Sequence, residues 1–524
     1  MTEESAHDGE AETDAETESG PRVATDGGSD DSVVRRDRFS GGPARSFLSS
    51  LSADERIFEA DLEVDRAHAV MLAEQGIIEA DVAGQILTAL DAIEVDGHGS
   101  LPDGEDVHEA IETAVIERIG ADGGKMHTAR SRNDEVAACI RYRLRADVLD
   151  AIETTLALRE SLVDVAEAHD ETLMPGYTHL QPAQPTTVAH WALAYEGAVR
   201  RDTERLFDAY GRVNQSPLGA AAFAGTTFDV DRERTAELLG FDGGPASSAR
   251  GSSAEQRSAV VVENSMDASS SRDFLLETTQ ALSTHATTLS GLAEDVIIFA
   301  NRGFVDLADD YSSTSSIMPQ KKNPDTLELV RAVAGDAAGG VQGLTTTLKG
   351  LPRAYNRDLQ RATTHAWETV DAVTEASEVA AGAVATADWN EDDLAAEAGE
   401  GFSTATGVAD LLAANGLPFR TAHELVAIAA DNGADYDALE AAAEEVLGEP
   451  LEAYVDPAAV DDALDPAESV ASRDSQGGPA PEAVADQLAA ADEALAADRD
   501  ALAETADAIE SARQALRSEV NGYV

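Results

Sequence analysis

The chain has one cysteine, four lysines and only 5% aromatic residues in a length of 524. A single thiol, Cys139, excludes a disulfide framework within the chain and fits a reducing, cytoplasmic compartment. Cys139 lies in a helical apolar pattern and reads as a small buried hydrophobe, with a catalytic thiol as the alternative. No apolar run is long enough to span a bilayer, and the N-terminus lacks the basic and apolar regions of a signal peptide. Basic residues are scarce: 37 Lys and Arg stand against 100 Asp and Glu, a net charge of -63. That balance excludes a nucleic-acid binder working through a general basic patch, and it argues against attraction to an anionic membrane. The chain has no His-Glu-x-x-His run and no cysteine cluster, so no zinc or other metal site is expected. It also lacks a Gly-rich phosphate loop and a dinucleotide fingerprint, so the default is a reaction without a cofactor.

The acids punctuate nearly every helical stretch. An acidic surface keeps a protein soluble but repels itself, and salt screens that repulsion. The composition therefore describes a salty cytoplasm and says little about the substrate.

Residues 1–36 carry almost no large apolar side chains and are expected to be a disordered acidic tail. A helical N-terminal domain is expected over 37–130, with breaks at Gly76, Gly97-His98-Gly99 and Pro102-Asp103-Gly104. From Asp134 the apolar residues Val136, Ile140, Leu144, Val148, Ile152 and Leu156 recur every fourth position, and Leu162 and Val165 extend the stripe. This predicts a helix of about 35 residues, roughly 50 Å long, with Asn133 or Asp134 as its N-cap. Similar patterns around 186–212, 260–300, 325–348 and 360–388 predict a bundle of very long helices over 131–395, shared between subunits. Residues 243–258 read as a Gly/Ser/Ala surface loop. A C-terminal helical domain is expected over 396–524. Strand alternation is nearly absent, so the fold class is all-α.

Four polar islands are not needed for bundle packing. The first is Glu105-Asp106-Val107-His108. The second runs from His127 to Asp134 and contains Arg130, Ser131, Arg132 and Asn133. The third is Pro175-Gly176-Tyr177-Thr178-His179-Leu180-Gln181-Pro182. The fourth, Thr314 to Asp325, sets Lys321 and Lys322, half of the chain's lysines, among small hydroxyls and Asn323. Hydroxyl, ammonium and amide groups in one loop can hold a carboxylate and stabilise negative charge that develops beside it. Each island has a plainer reading too. His108 could face solvent, Ser131 and Asn133 could only cap the helix, and the arginines could form surface ion pairs. His179 could be a satisfied core histidine in a rigid turn, and the lysines could pair with surface carboxylates.

The run Ser-Ser-x-Met-Pro-x-Lys-x-Asn, here Ser315 to Asn323, resembles the fingerprint loop of the fumarase/aspartase superfamily of lyases. Within it, His127 to Asp134, Met174 to Gln181, Pro319 to Asp325, Leu351 to Asp358, Ala189-His190-Trp191 and Gly401 to Thr406 resemble the argininosuccinate lyases. The resemblance covers roughly residues 38–500, apart from the 243–258 loop. It implies a three-domain all-α lyase whose long helices form a 20-helix core in a homotetramer, with each active site shared by three subunits. It implies the elimination of argininosuccinate to L-arginine and fumarate. It assigns Ser315 as the base, Lys321 and Asn323 as holders of the carboxylate and carbanion charge, and His179 with Glu328 near the leaving nitrogen. It further implies that Ser50, Ser131, Asn133 and Thr178 contact substrate carboxylate and ammonium groups. Arg132 and His108 line the site, and Tyr355 and Gln360 hold the substrate further along.

Three positions depart from the family pattern. Thr314 stands where glycine is usual, Ser271 where an acid is common, and Thr363 where the family has a lysine that touches substrate. Arg361 or Arg357 is the expected substitute for that lysine. Two alternatives are a lyase for a different succinyl-amine and a catalytically silent relative with a structural role. The joint presence of Ser315, His179, Lys321, Asn323 and Glu328 argues against silence.

Overall fold

Ser131 opens the longest helix of the bundle. Its Oγ accepts the Asn133 N–H at 3.3 Å, and the Asp134 carboxylate accepts the Ser131 N–H at 2.9 Å, a reciprocal capping box. The N-cap is therefore Ser131 rather than Asn133 or Asp134, because Asp134 is the far member of the box. The computed structural model describes residues 43–242 and 260–524. The tail expected at 1–36 and the loop expected at 243–258 lie outside the described residues.

The N-terminal helices are α1 (Phe58–Glu74), α2 (Ala80–Asp96) and α3 (Val107–Ile119). The long helix α4 (Arg132–Ala168) follows, then a hairpin of β1 (Leu173–Thr178) and β2 (Gln181–Thr187), then α5 (Val188–Val213). Next come α6 (Asp273–Arg302), the two-residue strands β3 (Ser313–Thr314) and β4 (Lys322–Asn323), α7 (Asp325–Leu348) and α8 (Ala362–Ala385). Shorter helices, among them α9 (Ala405–Ala414), α10 (Phe419–Ala430) and α11 (Tyr436–Leu447), precede the terminal helix α12 (Pro481–Tyr523).

Helices α4 to α8 pack side by side as the expected bundle. The stripe read from sequence is its core: Ile140, Leu144, Val148, Ile152 and Leu156 pack with Leu206, Phe274, Leu282 and Val370. Leu162 and Val165 belong to a second cluster further along, with Leu193, Leu292 and Trp389. The pattern at 260–300 divides, because Asn264 caps a short helix over Ser265–Ser270 before α6 begins. The architecture is helical, with only short two-stranded ladders among the described residues. The β1–β2 hairpin was not foreseen as strand, since its prolines break any alternating pattern.

Buried polar groups pin the helices to one another. Arg159 on α4 donates to Glu196 on α5 at 2.9 Å and to Asp498 on α12 at 2.6 Å. His285 on α6 lies 3.3 Å from Asp202 on α5 and 3.1 Å from Ser377 on α8.

The terminal helix changes the outline drawn from sequence. The apolar cluster of the C-terminal region gathers Val408 to Val460 only. By contrast, α12 places Leu516 and Val520 in the N-terminal core, Leu495 in the α4–α8 core, and Val484 and Ala491 in the second bundle cluster. Arg517 near its end pairs with Glu63 at 2.7 Å and Glu94 at 2.8 Å. The span 396–524 therefore packs as a small separate cluster plus one helix that returns along the other two regions.

Replacing Arg159 with methionine strands two carboxylates, of which Glu196 is 3% exposed. The expected cost is on the order of 3–5 kcal/mol in urea unfolding at high salt, with partial recovery when Glu196→Gln is added. A cost near zero would show that this triad does not hold the three helices together.

Candidate active site

Two helix N-termini meet beside one cavity. Asp106 caps α3, its Oδ1 accepting the Glu109 N–H at 2.8 Å, and Ser131 caps α4 as described. A cavity of about 330 Å³ lies against them. Ser50, His108, Arg132, Asn133, Tyr355 and Gln360, all expected from sequence, line it. Ser131 is half-buried at the cap and does not form the wall.

Local bonds set these groups in place. The Ser50 N–H donates to the Glu105 carbonyl at 2.8 Å, and its Oγ donates to Asp54 at 2.7 Å. Asn133 donates through Nδ2 to the Ala222 carbonyl at 3.2 Å, and Gln360 donates to the Leu48 carbonyl at 3.1 Å. The cavity thus gathers segments that are over 300 residues apart in the chain. Sequence reasoning missed Asp54 and Arg272 in the wall. Thr363, where a lysine was expected, also faces this cavity, as do Arg357 and Arg361. Of the two proposed substitutes, Arg357 is tied to Glu105 at 2.5 Å, and Arg361 is exposed.

Behind the wall lies a buried charge network. His108 Nδ1 sits 2.8 Å from Asp61 and 3.7 Å from Glu135. Arg130 pairs with Asp65 at 2.5 Å and Glu135 at 2.9 Å. Cys139 donates its thiol to Asp61 at 3.2 Å, which is consistent with a buried small residue. Burial works against the charge on His108, but Asp61 and Glu135 outweigh it and push the imidazole up to about 10. Burial also raises Asp65 and Glu135 above the usual carboxylate range, against the pull of Arg130. Two sets here, Asp61-His108-Cys139 and Asp61-Asp65-Glu135, have donor atoms close enough to share an ion. The positive charge they need already comes from His108 and Arg130. A signal for this network was present in the sequence: Asp61 and Asp65 recur at helical spacing on α1, among apolar residues that are buried nearly all round the helix.

The Ser315 loop is a separate structure. β3 and β4 pair Ser313 with Asn323 and Thr314 with Lys322. Thr314 is thus a strand residue, and a β-branched side chain suits that extended backbone where glycine is usual. Ser315 Oγ accepts the Ile317 N–H at 3.3 Å and the Met318 N–H at 3.1 Å. The Ser315 N–H in turn donates to the Lys321 carbonyl at 3.2 Å. Lys322 lies 3.1 Å from Asp309 and 3.2 Å from Asp306, so it anchors the loop. Lys321 is exposed and pairs with no carboxylate among the described residues, Asn323 is half-buried, and Glu328 is exposed on α7.

Thr178 and His179 lie at the exposed tip of the β1–β2 hairpin. His179 and Leu180 take positive φ angles of 58° and 57°, the geometry of a tight two-residue turn. None of Thr178, His179, Ser315, Lys321, Asn323 and Glu328 lines the cavity. No ion pair joins His179 to Glu328 within the chain among the described residues. One chain therefore carries the expected residues in three places: the cavity, the hairpin tip and the Ser315 loop.

The buried network has a pH signature. His108, Asp65 and Glu135 bind protons more tightly in the folded state than in the unfolded chain. Their contribution to stability is complete at low pH and is lost as pH rises, for His108 from its ordinary value of about 6.5 up to about 10. His68 behaves in the opposite sense. Burial lowers it to about 3, so stability falls as pH drops below about 6.5. Above about pH 6.5, where His68 is neutral in both states, urea midpoints at constant high salt should therefore fall as pH rises to about 10. Asp61→Asn should flatten the alkaline decline, and an unchanged alkaline limb in that variant would exclude His108 as its source.

Comparison with known proteins follows the same outline. Residues 44–339 match the family described as Lyase, and residues 402–471 match the argininosuccinate lyase C-terminal family. The chain is 68% identical over 500 residues to the argininosuccinate lyase of Halobacterium salinarum, covering 95% of this chain and 100% of that protein. It is 66% identical over 501 residues to that of Haloarcula marismortui, with 94% and 97% covered. It is 70% identical over 459 residues to that of Natronomonas pharaonis, with 88% and 90% covered. Among solved structures, EDDS lyase in complex with formate superposes with a TM-score of 0.79 at 31% identity, covering 92% of this chain and 96% of that one. A class II fumarase from Schistosoma mansoni, at 16% identity, shares the fold with a TM-score of 0.66 over 79% of this chain and 90% of its own. The cavity at the α4 N-terminus, the hairpin tip and the Ser315 loop thus sit on the scaffold of the fumarase/aspartase superfamily, and this chain belongs to its argininosuccinate lyase family.

Proposed function

We propose that the chain catalyses the reversible elimination of argininosuccinate to L-arginine and fumarate, the last step of arginine biosynthesis, in the cytoplasm. Identity of 66–70% to argininosuccinate lyases over most of the chain supports the substrate. The observation that carries the chemistry is the setting of the Ser315 hydroxyl.

A serine oxygen is a poor base because its pKa lies far above neutrality. At Ser315 two backbone N–H groups already point at Oγ. Such donors stabilise an alkoxide more than a hydroxyl, which lowers the cost of its ionisation. In this reading Ser315 takes the proton beside a succinyl carboxylate. The electron pair moves into that carboxylate, which becomes an aci-carboxylate of doubled negative charge. The Lys321 ammonium and the Asn323 amide stabilise it. Its collapse forms the double bond of fumarate and breaks the C–N bond. His179, with Glu328, serves the leaving nitrogen. Ser50, Ser131, Asn133 and Thr178 hold carboxylate and ammonium groups, while Arg132, His108, Tyr355 and Gln360 shape the rest of the site. The steps are acid–base chemistry and call on no cofactor.

The complete site is assigned to three subunits of a homotetramer. That no residue of the hairpin tip or of the Ser315 loop lines the cavity of its own chain supports this. The face of α7 supports it too: of its 24 residues only Leu327, Val330, Ala337 and Leu344 are buried, and Leu329 is 70% exposed. A helix so little covered by its own chain has its remaining surface available to other subunits. The proposed domains are 37–130, 131–395 and 396–524, with α12 reaching back along the first two.

Fumarate should form from argininosuccinate and not from adenylosuccinate or aspartate; the reverse pattern would reject the assignment. Ser315→Ala should lower turnover by about 10²–10⁴-fold while helical content and oligomeric state stay unchanged. Near-normal activity in that variant would sink the base assignment. With a net charge of -63, the tetramer should dissociate on removal of salt as screening is lost. A tetramer that persists in dilute buffer by light scattering would contradict this.

A further inference from the structure

Arg272 is a buried guanidinium in the cavity wall that meets no carboxylate among the described residues. It is 3% exposed. Its Nη1 donates to the Ser271 carbonyl at 2.8 Å, and its Nε is buried without a partner. The Ser271 hydroxyl beside it is also buried and unpartnered. No ion pair reaches Arg272 among the described residues. Burial lowers it to about 10, and Tyr355 is the one neighbour that acts against this.

In a chain with 100 acidic and 37 basic residues, Arg272 is set apart by meeting only one backbone carbonyl and no carboxylate among the described residues. The buried guanidiniums of Arg66, Arg130 and Arg159 each have carboxylates at 2.9 Å or closer. Arg141 and Arg145 spread their charge over two backbone carbonyls each. The other cavity arginines are engaged or exposed: Arg357 with Glu105, Arg132 with Asp106 and Glu109 at 3.5 Å, and Arg361 at the surface. A buried, unpaired charge is costly, and an entering anion relieves that cost.

The same cavity has an anionic side. Asp54 accepts from the Ser50 hydroxyl and from the Val107 N–H at 3.2 Å, and Glu105 and Asp106 share the wall. A cation and carboxylates in one pocket complement a zwitterionic amino-acid head, which carries a carboxylate and an ammonium group. A succinyl group has only carboxylates. Tyr355 and Gln360 share this wall, which no residue of the Ser315 loop lines.

We infer that Arg272 binds the α-carboxylate of the arginine moiety and selects for an amino-acid head on the leaving group. This rests on the argininosuccinate lyase reading. The planar fork of a guanidinium can grip that carboxylate through two N–H groups.

Agmatine is the probe, since it keeps the guanidino chain and amine of arginine and lacks the carboxylate. Calorimetry on the intact wild-type protein should show L-arginine binding about 10–100-fold more tightly than agmatine. Arg272→Gln should erase that difference, raise KM for argininosuccinate, and leave inhibition by fumarate unchanged. Arg272→Lys, which keeps the charge, should restore part of the preference and controls for folding. A wild type that binds both ligands equally overturns the inference without any variant. So does an Arg272→Gln protein that still prefers L-arginine, or one in which fumarate inhibition weakens as much as L-arginine binding. Absence of turnover of argininosuccinate by the wild type would instead reject the lyase reading.

Discussion

The Asp134 carboxylate is the interaction on which the cavity depends. It is fully buried and accepts three backbone N–H groups, from Ser131, Gly219 and Ala221, each at 2.9 Å. The first closes the capping box of α4. The other two tie the loop after α5 to the same point. Burial of a carboxylate is tolerable only when its oxygens are so satisfied, and here it raises the group only to about 6. Arg132 and Asn133 leave the backbone between those bonds, so their position in the cavity wall follows from the cap. Asn133 adds its own bond to the Ala222 carbonyl in the same loop. The polar island of the sequence thus serves as helix cap and site lining at once, and the two readings of Ser131 and Asn133 are not exclusive.

Positive charge is distributed sparingly and deliberately placed. Most of the 37 basic residues are arginines, and several buried or half-buried ones work as pins. Arg66 and Arg517 draw α1, α2 and α12 together around Glu63, Asp91 and Glu94. Arg159 does the same for α4, α5 and α12. Screening by salt leaves such pairs largely intact while it weakens repulsion between exposed acids. The acidic exterior and the ion-paired interior therefore answer to different conditions. Arg272 differs from the pins because it pairs with no carboxylate among the described residues.

Much of the architecture was legible in the residues. The apolar stripe from Ile140 to Leu156 had one solution, since residues four apart share a helix face and must be covered. The chemical islands were legible by composition, because hydroxyl, ammonium and amide groups in a short loop have few packing uses. The β1–β2 hairpin was hidden, since its pairing depends on register across Pro175, Pro182 and Pro185 and not on alternation. The roles of Lys322 and Thr314 were hidden as well. Asp306 and Asp309 reach Lys322 only once the loop has folded back, and Thr314 is extended only because Lys322 pairs with it.

By itself the sequence determined the helical class, the long bundle helices and the residue types of the site, because these rest on local periodicity and on side-chain chemistry. Tertiary structure alone decided which of those residues meet. It brought Ser50, His108, Asn133, Tyr355 and Gln360 to one cavity and kept His179 and Ser315 out of it. It turned the terminal helix back onto the N-terminal core, and it left Arg272 buried with no carboxylate beside it among the described residues. These outcomes depend on contacts between segments far apart in the chain, and no local pattern encodes the partner that a buried charge will or will not find.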